Sequence, residues 1–271
     1  MEPGLYVVAT PIGCVDDLSP RAREVLAAVD VVAAEDTRVA RKLLSELGVS
    51  ANKLVSCHDH NESSRAAQLA AWLGEGQSVA LISDAGTPLV SDPGYRVVRA
   101  AADAGAALIP VPGPCAAIAA LSVAALPTDA FLFVGFLPRS PGKRVASLQE
   151  RKREPATLVF YEAPHRILAM LTDIRDVLGE RQVVVATSLT KQWERYYRGT
   201  ASDALAALTD ETPIGEMTVV VAGCDEGEIQ DLSVAHQLID DLAIAVSVLR
   251  SSAMWSPLLS TCRSATSISG P

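Results

Sequence analysis

The residues best placed for chemistry stand directly after short apolar runs. Leu5–Ala9 leads into TPIGCVDD (10–17), Val79–Ile82 into SDAGTPLVSDPG (83–94), and Leu108–Val111 into PGPCAA (112–117). Glycine and proline dominate these segments, so backbone N–H and C=O groups stand open and a flat ligand can approach closely. Charge gathers at other run ends, in Glu35-Asp36-Thr37-Arg38, YEAPHR (161–166) and TSLTKQWER (187–195). Acids suit a helix N-terminus, which accounts for Glu35 and Asp36 but leaves Arg38 unexplained. His165 and Arg166 follow Pro164 at a helix start, where cations oppose the dipole, and this placement points to an anionic ligand. Cys115 and Ala116 open a helix whose amides could bind a carboxylate. His58 and His60 offer imidazoles as general bases, although surface-loop histidines fit the same pattern.

Several chemistries lack their signatures. There is no GxGxxG for a nicotinamide dinucleotide and no GxxxxGK[ST] phosphate loop. No G-x-S-x-G elbow is present, which disfavours an α/β-hydrolase. The five cysteines (Cys14, Cys57, Cys115, Cys224 and Cys262) are scattered, without CxxC or Cys/His spacing, and read as reduced cytosolic thiols with no structural metal. What remains is a ligand read mainly by backbone and a few side chains; a nucleoside such as S-adenosylmethionine fits that description.

Positioning these loops requires a sheet. Leu5–Ala9, Val31–Ala34, Leu54–Ser56, Val79–Ile82 and Leu108–Val111 are unbroken apolar runs suited to strands covered on both faces. Helical spacing fills the intervals at Ser19–Ala28, Thr37–Leu47, Asn61–Leu73 and Gly94–Ala104, with Ser19-Pro20 as an N-cap followed by proline. The βα alternation predicts a mainly parallel, doubly wound sheet. A break at PVPGP (110–114) marks a domain junction, followed by a helix at Cys115–Ala125. Strands then resume at Phe131–Gly135, Thr157–Tyr161, Val183–Thr187, Arg195–Gly199 and Met217–Ala222, with helices near Gly142–Arg153, Pro164–Leu178 and Ala201–Leu208. The expected division is an α/β domain over 1–113, a second over 114–223, and an atypical tail over 224–271. Asp231–Val248 could form an amphipathic helix, whereas Ser251–Pro271 reads as disordered or foreign to the fold.

The chain of 271 residues has ordinary globular composition and a net charge of −9. Acidity opposes a nucleic-acid partner, but charge is uneven. Arg139, Lys143, Arg144, Arg151, Lys152 and Arg153 form one basic island, and Lys191, Arg195 and Arg198 another; solvated surface faces are the simpler explanation of both. The N-terminal MEPGLYVVATPIG lacks a basic region before its apolar run, and reads as a buried strand rather than a leader. No apolar stretch is long enough to span a bilayer.

Seven segments in order, LYVVATPIG (5–13), AEDTR (34–38), SDAGTPLVSDPG (83–94), PVPGP (110–114), FVGFLPR (133–139), FYEAPHRI (160–167) and SLTKQWERYYRG (188–199), resemble the ribosomal RNA small subunit methyltransferase I family, of the tetrapyrrole-methylase-like fold. The resemblance runs from about Leu5 to Gly223. It implies two α/β domains with an S-adenosylmethionine cleft between them, a cytoplasmic homodimer, and methylation of a cytidine ribose 2′-OH of small-subunit (16S) rRNA near the decoding centre. On this resemblance the cofactor falls to Pro11, Asp84, Gly86, Thr87, Pro88, Cys115, Ala116, Tyr161 and Met217. Substrate contacts fall to Asp36, Arg38, His60, His165, Arg166 and Lys191, with Glu35 and Glu162 as carboxylates for the chemistry. Cys14 stands where the family usually has Asn, Trp193 where His is typical, and the tail after about Ala243 departs from the family. The alternatives are a porphyrinoid C-methyltransferase on the same fold, against which the ATPIG loop counts, and a non-catalytic nucleoside-binding assembly module.

Overall fold

The computed structural model describes residues 1–211 and 214–225, together with residues 242 and 244. Five strands, β1 (Gly4–Val8), β2 (Val31–Ala34), β3 (Leu54–Ser56), β4 (Ser78–Ile82) and β5 (Leu108–Val111), form an all-parallel sheet in the order β3-β2-β4-β1-β5. Four helices connect them: α1 (Pro20–Ala28), α2 (Thr37–Glu46), α3 (Glu62–Gly74) and α4 (Tyr95–Asp103). Alternate strand residues serve opposite layers. Val8, Val32, Ala34, Ala80 and Ile82 pack against α1 and α2, and Leu5, Val31, Ala33, Val79 and Leu81 against α3 and α4. Both faces of β1, β2 and β4 are therefore buried, which is why they read as unbroken apolar runs. Strand β3 is half-buried, and β5, at the sheet edge, exposes Leu108 and Pro110, so the expected cover on both faces does not extend to the two edge strands. The Ser19 hydroxyl caps α1 by accepting from Ala22 N–H (3.1 Å), with Pro20 in its first turn.

The chain then passes to a second sheet by way of α5 (Ala116–Val123). Strands β6 (Phe131–Phe136), β7 (Thr157–Glu162), β8 (Gln182–Thr187), β9 (Arg195–Thr200) and β10 (Met217–Val221) lie in the order β6-β7-β10-β8-β9. Here the pairing is mixed. Only β6 and β7 are parallel neighbours; β10 inserts antiparallel between β7 and β8, and β9 returns antiparallel on β8. Helices α6 (Pro141–Gln149), α7 (Ile167–Leu178) and α8 (Ala201–Thr209) cover one face, while α5 packs Ala117, Ala120 and Leu121 on the other, against Val159, Val184 and Val220. Residues Met1–Gly223 form one compact unit. The second unit is Cys224–Pro271; the amphipathic helix expected at Asp231–Val248 and the Ser-rich tail lie outside the described residues, apart from residues 242 and 244.

Two expectations change. The helix expected from Pro164 begins instead with a 3-10 turn, Pro164–Arg166, and α7 starts at Ile167. Arg144, placed above in a basic island, is buried, and its guanidinium pairs with Asp173 (2.5 Å) across α6 and α7. It is internal architecture rather than a solvated face.

A bulge in β6 shifts the register between Phe133 and Gly135. Gly135 takes φ +71°, and a Cβ there would lie 2.7 Å from Ser91 Oγ on the β4–α4 loop. Gly135→Ala combines left-handed strain with a collision, and is expected to destabilise the protein by about 1–3 kcal/mol. Denaturant titration checks this, and an unchanged midpoint would refute the close approach.

A cleft between two sets of strand ends

The loops after β1, β2 and β4 emerge at the carboxyl edge of the first sheet, where ligands bind in open parallel sheets. They meet the ends of β7 and β8 from the second sheet. Antiparallel β10 contributes its beginning to the same place, because Met217 pairs with both Glu162 and Thr187. The resulting cavity, about 240 Å³, is lined by Ile12, Glu35 and Asp84–Thr87 from one side and by Phe136, Tyr161, Ser188–Leu189, Lys191 and Glu216–Thr218 from the other. Val90–Asp92, Ala116 and Glu162 complete it.

Direct contacts hold the walls together. Cys14 N–H donates to Thr190 Oγ1 (3.0 Å), Thr87 Oγ1 donates to the Pro114 carbonyl (3.0 Å), and Ala117 N–H donates to the Tyr161 hydroxyl (3.1 Å). Gly13 sits so close that a Cβ would be 2.6 Å from Lys191 Cγ. Four of the five non-glycine residues with positive φ among the described residues, Leu89, Ser91, Ser188 and Thr190, belong to the two loops facing one another here. Such strain persists only where surrounding contacts over-determine it, and it gathers at functional sites.

The cleft is acidic. Glu35, Asp84, Asp92 and Glu216 all line it. Burial, followed by the neighbouring Asp84, raises the proton affinity of Glu35. Asp84 is likewise raised, chiefly by burial, although its carboxylate accepts from Asp36 N–H (3.0 Å). Asp92 is pushed up to about 7 by burial and by Glu35, Asp84 and Glu216, against the opposing hydrogen bond from Ser83. Across from Glu35 and Asp84 stands a largely apolar wall, with Glu216 at its edge. Tyr161 packs edge-on to Phe133 (5.0 Å) and Phe136 (5.7 Å), with Met217 buried nearby in the lining.

Of the residues singled out from sequence, Glu35, Asp84, Gly86, Thr87, Ala116, Tyr161, Glu162, Lys191 and Met217 converge on this cavity. Pro11, Pro88 and Cys115 sit in its loops without lining it. Asp36 caps α2, accepting from Arg38 N–H (2.8 Å), and the Arg38 guanidinium folds back onto the same carboxylate (2.5 Å). His60 and His165 are exposed outside the cavity, and His58 meets His60 edge-on at 6.0 Å. Arg166 turns inward. It pairs with Glu162 (3.2 Å) and donates to the carbonyls of Leu137 (2.8 Å) and Pro138 (3.2 Å), so the anion expected for this cation lies within the fold. Glu162 itself accepts from Ala163 N–H at Oε1, and its side chain has no exposure.

Sequence reasoning missed Ile12, Asp92, Phe136, Ser188 and Glu216. Asp92 lay inside a quoted motif, SDAGTPLVSDPG, but nothing local separates it from a turn aspartate. Glu216 directly precedes β10 and gains meaning only once that strand runs antiparallel. Among the described residues, no group of His, Cys, Asp and Glu is poised for a metal ion, and no helix is long and apolar enough to cross a membrane.

Residues 4–205 match the model of the tetrapyrrole (corrin/porphyrin) methylases. Among solved structures, the methyltransferase CobJ aligns with TM-score 0.60 and 19% identity, covering 82% of this chain and 94% of CobJ. Diphthine synthase aligns with TM-score 0.61 and 14% identity, over 80% and 89% of the two chains. At these identities the likeness speaks to the fold. Curated relatives are much nearer. The ribosomal RNA small subunit methyltransferase I of Escherichia coli O157:H7 is 51% identical over 223 residues, 81% of this chain and 77% of its own. That of Pseudomonas aeruginosa PAO1 is 46% identical over 259 residues, 92% and 90% of the two chains. A match over most of the chain to the family model, with half the residues shared with these relatives, gives one conclusion: the chain belongs to the tetrapyrrole methylase family and, within it, to the ribosomal RNA small subunit methyltransferase I group.

Proposed function

We propose that this chain transfers a methyl group from S-adenosylmethionine to the 2′-hydroxyl of a cytidine ribose in small-subunit ribosomal RNA near the decoding centre. The observation that carries the reading is the acidic cleft at the joined strand ends, in a chain half identical to curated rRNA methyltransferases. A cationic sulfonium and ammonium suit Glu35, Asp84 and Glu216; an adenine suits the wall of Tyr161, Phe136 and Met217; a carboxylate suits the Ala116 amide that opens α5. The donor set therefore fits this cofactor. When bound, it supplies a methyl group on a positively charged sulfur.

The protein's part is to align the ribose hydroxyl and take its proton. Asp92 is the group we assign to that step, since its proton affinity is pushed up to about 7 and it lines the cleft. An Asp92 carboxylate oxygen takes the proton of the ribose hydroxyl. Glu35 sits beside Asp92 and keeps its proton affinity high. Lys191, at the cleft edge, is the cation for the adjoining phosphate. Arg166 and Glu162 are positioning residues, tying the end of β7 to the β6–α6 loop. Residues 1–113 and 114–223 serve as the two walls.

We further propose a cytoplasmic homodimer. Edge strand β6 exposes Phe131 and Leu132, and α5 exposes Ile118 and Val123, apolar side chains that a second copy could cover. Sedimentation should give twice the chain mass, and a monomer would exclude it. The activity is tested by incubating the protein with methyl-labelled S-adenosylmethionine and unmodified small subunits. Label in a ribose-methylated cytidine is expected. Label in a porphyrinoid precursor offered in parallel, or cofactor binding without transfer, would overturn the reading.

A further inference from the structure

The loop joining β8 to β9 carries Trp193, whose surface is 66% exposed. A single exposed apolar residue is ordinary; its mounting is not. The loop is two successive turns, closed by Lys191 N–H to the Ser188 carbonyl (2.9 Å) and Glu194 N–H to the Lys191 carbonyl (3.0 Å). Glu194 fastens both, accepting from Thr190 N–H (2.6 Å) and from the Tyr196 hydroxyl (2.7 Å). The first turn is in turn held to the opposite wall by the Cys14–Thr190 hydrogen bond. The backbone adopts positive φ at Ser188 and Thr190 to make these turns. Yet among the described residues no hydrogen bond or ring contact engages the Trp193 indole. Lys191, two residues earlier, lines the cleft and has no acidic partner within ion-pairing distance among the described residues.

From this arrangement we infer that Trp193 is a stacking platform for an unpaired nucleobase of the RNA, next to the nucleotide whose ribose enters the cleft. The inference rests on the function proposed above. A large, flat, exposed indole carried on a hydrogen-bonded turn, two residues from an unpaired cation that lines the site, is the combination that holds a single strand: the ring takes a base face and the ammonium a phosphate. Stacking accepts any base and needs little adjustment, so it anchors the strand while the cleft selects the hydroxyl. A protein partner would more naturally be met by the exposed apolar residues of α5 and β6, which lie on other elements.

The test compares the full-length protein with Trp193→Ala, Trp193→Phe and Lys191→Ala, using small subunits and a short single-stranded oligoribonucleotide containing cytidine. Trp193→Ala should raise KM for subunits about tenfold, with kcat and the Kd for S-adenosylmethionine unchanged, and Trp193→Phe should recover most of the loss. An abasic nucleotide placed beside the target cytidine should remove the difference between native protein and Trp193→Ala. Lys191→Ala should reduce the salt dependence of binding by about one phosphate contact, which Trp193→Ala should not. Native protein that methylates rRNA while Trp193→Ala keeps the native KM overturns the stacking role and leaves the activity standing. A change of oligomeric state in Trp193→Ala also overturns it, in favour of a protein contact. Failure of the native protein to methylate rRNA at all removes both.

Discussion

Asp92→Asn is expected to lower kcat by about 10²–10⁴-fold, the usual worth of a positioned general base, while S-adenosylmethionine still binds. The native enzyme should show kcat rising with pH and levelling above about 7, because only the ionised Asp92 can accept the hydroxyl proton. In the variant that inflection should vanish. Glu35→Gln should move it to lower pH, since Glu35 is one of the charges that hold the Asp92 proton in place. Stability should move the other way. A carboxyl raised from 3.8 to about 7 in the fold keeps a proton that the unfolded chain has already released. Its favourable contribution is fully present below the unfolded value and is lost as pH rises through about 7. Asp92→Asn, with no charge to bury, should therefore raise Tm at pH 8 and leave it nearly unchanged at pH 4. An Asp92→Asn enzyme with native kcat and a native pH profile would transfer the proton step to another group, with Glu35 next in line.

Arg166→Ala should damage the fold rather than RNA affinity. The Glu162 side chain has no exposure and that of Arg166 only 16%. Removing the guanidinium leaves a buried carboxylate whose remaining support is the Ala163 N–H, and frees two carbonyls in the β6–α6 loop. Breaking one half of such a pair costs about 3–5 kcal/mol, or about 6–20 °C in Tm for a domain of this size. Because Glu162 lines the cavity, part of the loss should reappear as weaker cofactor binding. Replacing both partners, as in Glu162→Gln with Arg166→Met, should recover much of the stability, since no unpaired charge remains. An Arg166→Ala protein with native Tm and a raised KM for rRNA would make Arg166 a phosphate ligand after all.

Much of the architecture is legible along the chain because its signals are local. Val31–Ala34 and Leu108–Val111 are strands at the bounds their apolar runs mark, and Ser19-Pro20 starts α1 by a cap that involves only its own neighbours. The Gly- and Pro-rich loops likewise announce a backbone-lined site at strand ends, and Asp84, Gly86, Thr87 and Tyr161 do meet there. The rest depends on partners distant in sequence. An apolar run such as Met217–Val221 reads the same for either strand direction. The antiparallel course of β10, which carries Glu216 and Met217 to the cleft, follows only from its pairing with β7 and β8.

The fate of charge is decided the same way. Arg166 and Lys191 look alike in sequence, each a cation after a strand, yet one is neutralised by Glu162 and the other stands open at the cleft. Asp92 differs from any turn aspartate only because Glu35, Asp84 and Glu216 converge on it from other segments and burial withholds water. Local propensity and hydrophobic period act over a few residues, so the chain alone specifies its elements and the loops between them. Proton affinity, ion pairing and exposure are sums over neighbours in space, and those neighbours exist only once the two sheets have met.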